Sequence, residues 1–75
     1  MRTVEQYKEE IKQEIAAAGS EGISSVDLDI ILVRRNYPDL QNKRTALFEL
    51  VCDYEVLRSS KGILTLPDEK DTQTQ

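Results

Sequence analysis

Histidine is missing from these 75 residues, and there is one cysteine, Cys52. Each absence excludes chemistry. Without histidine the chain lacks the commonest general base and the commonest zinc ligand. One cysteine allows no internal disulfide, so a small domain of this kind is expected in a reducing cytoplasm. Cysteine without histidine leaves no tetrahedral zinc site and no Cys–His nucleophile pair. Long apolar runs are also lacking. No run exceeds that of Ile30 to Val33, which is far too short to span a membrane. The charged N-terminus does not read as a secretory signal. No nucleophile–base pair, metal set or phosphate loop is visible. The expectation is therefore a protein that is not an enzyme, with no catalytic residue, metal, cofactor, small-molecule substrate or membrane partner.

What is present is ordinary for one small globular domain: 39% hydrophobic and 32% charged residues, three glycines and two prolines. A chain this short buries little core, so each apolar residue counts. The net charge of −4 argues mildly against nucleic acid. Its distribution is uneven. Residues 34–62 hold six basic side chains (Arg34, Arg35, Lys43, Arg44, Arg58, Lys61) against Asp39, Glu49, Asp53 and Glu55, a local net of +2.

Helical spacing of Val4, Tyr7, Ile11, Ile15 and Ala18 predicts a first helix, capped by Thr3 and stopped at Gly19. Ile23 falls in a short extended piece. Ser24 and Asp27 have capping-box spacing, which starts a second helix at Ser25 or Val26. Pro38 ends it, because Tyr37 before it is pushed out of the α region. A third helix starts between Asp39 and Asn42 and runs to about Asp53, with Leu47, Leu50, Val51 and Tyr54 as its buried stripe. A hairpin follows: Val56-Leu57-Arg58, a turn at Ser59–Gly62, then Ile63–Leu66. The domain is expected over residues 1–66, and residues 67–75 read as a disordered polar tail.

This order of elements resembles the winged-helix superfamily. The residues carrying the likeness are Gly22-Ile23-Ser24-Ser25-Val26-Asp27-Leu28, Leu47-Phe48-Glu49-Leu50-Val51, and Val56-Leu57-Arg58 leading to Gly62-Ile63-Leu64. It implies three helices closed by a two-stranded wing, and double-stranded DNA as the partner. The third helix would enter the major groove and the wing would touch the backbone. Many relatives bind proteins instead. One departure is Asp53-Tyr54-Glu55, where such domains often carry glycine.

The residues give this reading mixed support. Gln41, Asn42, Lys43, Arg44 and Thr45 gather at the start of the third helix, where side chains can read base edges or hold phosphate. If Asn42 is the cap, Lys43 and Arg44 oppose the helix dipole and mark an anion site; if Asp39 is the cap, that oddity mostly vanishes. Arg58, Ser60 and Lys61 at the hairpin would contact phosphate. The outer face of the third helix, at about 100° per residue, is expected to show Thr45, Glu49, Cys52 and Asp53. Its carboxylates repel phosphate.

The second helix is apolar on two sides: Val26, Ile30 and Val33 on one, Leu28, Ile31 and Leu32 on the other. A domain this small has little to cover both. One face is either packed or a protein interface, most simply a homodimer, with Leu28, Ile31, Leu32 and Arg35 as the candidate contact residues. The expected function is a small DNA-binding protein, a transcriptional regulator. The alternative is a protein-interaction module on the same fold, an adaptor or inhibitor.

Overall fold

The structure is a computed structural model that describes residues 2–67. Three helices pack with a small antiparallel sheet. The elements are α1 (Val4–Ala18), a short 3-10 turn (Gly19–Glu21), β1 (Ile23–Ser24), α2 (Ser25–Arg34), α3 (Leu40–Cys52), β2 (Leu57–Arg58) and β3 (Ile63–Thr65). The polar tail expected from residue 67 onward lies, apart from Pro67, outside the described residues.

Helix α1 starts as its sequence requires. The Thr3 hydroxyl accepts from Gln6 N–H, and the Gln6 side chain accepts from Thr3 N–H. This reciprocal capping satisfies two donors that the first turn leaves free. Its stripe of Tyr7, Ile11 and Ile15 is buried. Helix α2 begins at Ser25, with Ser24 Oγ accepting from Asp27 N–H at 3.1 Å. It ends before Pro38 is reached. Asn36 takes φ 68°, and Tyr37 N–H and Asn36 N–H close back on the carbonyls of Leu32 and Val33. That is a Schellman closure, in which asparagine tolerates the left-handed position. Helix α3 starts at Leu40, with Asp39 as its cap.

The core joins all three helices to the sheet through Tyr7, Ile11, Ile15, Leu28, Leu32, Ala46, Leu47, Leu50, Val56 and Leu64. Two expectations change here. Tyr54, expected in the α3 stripe, lies beyond the helix and is exposed, because the helix closes at Cys52. Leu28 and Leu32, expected as contact residues, are fully buried, and Ile31 is half-buried. The apolar face of α2 left in solvent is Val26, Ile30 and Val33.

The sheet has three strands in the order β1-β3-β2, one more than the expected pair. Strand β3 pairs on one side with β2 (Leu57 opposite Thr65, Arg58 opposite Leu64). On the other it takes β1 (Ile23 opposite Leu64, Ser24 opposite Ile63). The third strand depends on Gly22, at φ 77°. A Cβ there would lie 2.5 Å from the Leu64 carbonyl oxygen and 2.6 Å from Thr65 Cγ2. Only glycine lets the backbone pass that close.

Candidate functional site

The side of the molecule formed by α3, β2 and the start of α2 carries most of the residues expected to touch a ligand. A groove of about 470 Å³ runs along it, and Ser25, Arg44, Phe48, Cys52 and Arg58 are among its lining residues. Arg44 from the second turn of α3 and Arg58 from β2 therefore share one groove, although 14 positions separate them in the chain. Ser60 and Lys61 are exposed in the adjoining turn. Within that turn Gly62 N–H donates to the Ser59 carbonyl at 3.0 Å, and Ser59 Oγ accepts from Lys61 N–H and Ile63 N–H.

Other expected contact residues are engaged elsewhere. Lys43 is 6% exposed. Its Nζ donates to Ser25 Oγ at 2.8 Å and sits 2.9 Å from Asp29 Oδ1. Ser25 and Asp29 stand one turn apart on α2, so Lys43, which also lines the groove, ties α3 to α2 and already faces a carboxylate. Asn42 is half-buried, and its Nδ2 donates to the Arg2 carbonyl at 3.2 Å. Thr45 is half-buried. Gln41 is exposed, and its backbone N–H, like that of Asn42, donates to Asp39 Oδ1. The helix N-terminus thus holds its own carboxylate. Of the two caps considered, Asp39 is the one present, and the anion site that an Asn42 cap implied is absent.

The solvent face of α3 agrees with expectation at Cys52 and Asp53, which are exposed, and differs at Thr45 and Glu49, which are half-buried. Its exposed stripe is Gln41, Arg44, Phe48 and Cys52, at helical spacing. Glu49, expected on that face, turns to α1, where its Oε1 lies 2.6 Å from Lys8 Nζ. This contact, followed by weaker help from Glu5, raises the Lys8 pKa against the opposing effect of burial. Lys12 is raised in the same way, first by its hydrogen bond to Glu55 at 3.2 Å. These pairs hold α1 against α3 and against the segment that follows it. They also remove Glu49 from the groove. Lys43, Arg44, Arg58 and Phe48 are among the residues that line it, and Phe48 is 69% exposed.

Phe48 falls off the apolar stripe of α3 in the sequence, so its exposure was readable there; its place in one groove with Arg44 and Arg58 was not.

Arg35, expected at an interface, pairs with α1 instead, its Nε 3.4 Å from Glu14 Oε2. Beside that pair lies Glu10, one turn before Glu14. Glu10 has a raised pKa, first from desolvation and then from the Glu14 carboxylate; Arg35 and Arg2 oppose the rise. Its Oε2 is buried without a donor.

Among the described residues no group of histidine, cysteine, aspartate or glutamate is placed to hold a metal ion. Nor is any helix there long and apolar enough to cross a membrane. No family model matches the chain, and neither a curated protein nor a solved structure matches it.

Proposed function

We propose that this chain is a winged-helix DNA-binding protein serving transcriptional regulation, with the α3–β2 groove facing the duplex. The observation that carries the proposal is that Arg44 and Arg58 line one groove with exposed Phe48, while Glu49 pairs with Lys8. In this reading β2 and β3 form the wing, and β1 is the short strand that closes its base. Arg44, Arg58 and Lys61 neutralise phosphates. Gln41 reaches base edges, and Phe48 offers apolar contact to thymine methyl groups. Ser60 adds a hydroxyl at the wing tip.

Three cations on phosphate predict a modest salt dependence. The slope of log K against log salt should be about −3, at roughly −0.9 per phosphate contact. The test is fluorescence anisotropy of a labelled duplex titrated at several salt concentrations. Arg44→Ala and Arg58→Ala should each weaken binding and flatten the slope by about 1. Lys43→Met should leave the slope unchanged. No salt-dependent duplex binding by the wild-type chain would overturn the proposal. The reading then favoured is a protein-interaction module on the same fold, which the exposure of Phe48 and the net charge of −4 support.

A further inference from the structure

We infer that helix α2 pairs with α2 of a second copy of this chain, antiparallel about a two-fold axis near Ile30. This does not rest on DNA binding. Val26, Ile30 and Val33 form an apolar stripe that is 68%, 48% and 53% exposed. Leu40 at the start of α3 extends it and is 44% exposed. Asp29, Ile30, Val33, Arg34 and Leu40 line one shallow depression of about 340 Å³. An apolar stripe left uncovered on so small a domain is a contact surface or an aggregation liability.

The charges beside the stripe indicate what covers it. Asp27 and Arg34 are seven residues apart, so they lie within about 20° of each other around the helix. Both flank the same edge of the stripe, one near each end of α2. Both are exposed, and neither has an ion-pair partner among the described residues. Antiparallel two-fold packing places Asp27 of each copy opposite Arg34 of the other, with Ile30 against Ile30 between them. The surface is therefore self-complementary in charge as well as apolar, as an isologous interface requires. Parallel two-fold packing would put the two copies' Asp27 side chains on opposite edges of the stripe, and likewise Arg34, and so would pair neither charge.

The experiment is sedimentation equilibrium of the full chain over micromolar to millimolar concentration. The wild type should move from its chain mass of 8.6 kDa toward twice that value. Ile30→Asp should remain at the single-chain mass, with its helical circular dichroism retained because the site is half exposed. Asp27→Arg should weaken association roughly tenfold, by turning two surface attractions into repulsions. Asp27→Arg combined with Arg34→Asp should restore it. A wild type that stays at the single-chain mass throughout overturns the proposal. So does a dimer indifferent to Ile30→Asp, or an Asp27→Arg loss that the double exchange does not recover.

Discussion

Lys43 Nζ lies 2.9 Å from Asp29 Oδ1, with the lysine side chain nearly buried and the aspartate about one-third exposed. The pair lies on the same buried side of α3 as Ala46, Leu47 and Leu50 and ties that side to α2. Removing one partner strands the other. Asp29→Ala leaves a buried ammonium with only the Ser25 hydroxyl, and is expected to cost about 1–3 kcal/mol, below the range for a fully buried pair because water reaches Asp29. Lys43→Met keeps the apolar stem and strands Asp29 Oδ1, which is buried, but the Asp29 side chain as a whole is about one-third exposed and can turn toward water, so it should cost less, about 1 kcal/mol. Urea denaturation of both variants measures the difference. Lys43→Met proving the more damaging would show that the lysine charge, rather than its stem, holds the helices.

Tyr54 adopts φ 62° immediately after α3. Glu55 N–H and Tyr54 N–H return to the Leu50 and Val51 carbonyls at 2.9 and 3.1 Å, so this is a Schellman closure with tyrosine at the position glycine favours. The side chain is 79% exposed and leaves little packing to lose. Tyr54→Gly is therefore expected to stabilise the fold by about 0.5–1 kcal/mol. Thermal unfolding should show a rise of several degrees for a domain of this size. An unchanged or lower Tm would mean that the ring contributes more than the backbone strain removes.

Glu10 holds its proton to higher pH in the folded protein than an ordinary glutamate does, because of desolvation first and the Glu14 carboxylate second. Between the unfolded and the raised folded value, the native state binds more protons than the unfolded chain. The Glu10 contribution is therefore most favourable below the unfolded value and is lost as pH rises through the raised one. Glu10→Gln keeps the shape and removes the charge. The variant should gain Tm over the wild type at neutral pH, and the gain should shrink as pH falls through the raised folded value toward the ordinary glutamate value of about 4.3. Paired melts across that range give the difference directly and cancel the trends of other carboxylates. A gain that does not change with pH would assign the effect to packing rather than ionisation.

Much of the backbone was legible without coordinates. Thr3 and Ser24 cap the helices they were expected to cap, and the α1 stripe of Tyr7, Ile11 and Ile15 is buried. The hairpin strands fall within the expected segments. These features are local: a cap, a period and a turn act within a few residues of one another. The stop of α3 was less legible, because tyrosine at a left-handed position carries none of the signal that glycine does.

The candidate site was legible in part. Arg44, Arg58, Ser60, Lys61 and Gln41 are exposed where a ligand could meet them. Lys43 and Asn42 face inward, to α2 and to the Arg2 carbonyl.

By itself, then, the sequence determined the helices, the capped starts of α1 and α2 and the hairpin, down to the apolar period of α1 and the Ser59–Gly62 turn; the cap of α3 stayed open between Asp39 and Asn42. It also determined that α2 carries two apolar faces. Which of them is covered depended on where α1, α3 and the sheet meet, and packing against these buried Leu28 and Leu32 while leaving Val26, Ile30 and Val33 outside. Helical period states which residues share a face, but not which face finds a neighbour. The same holds for α3, where the side that packs inward is Lys43, Ala46, Leu47 and Leu50, and Phe48 and Arg44 fall on the surface.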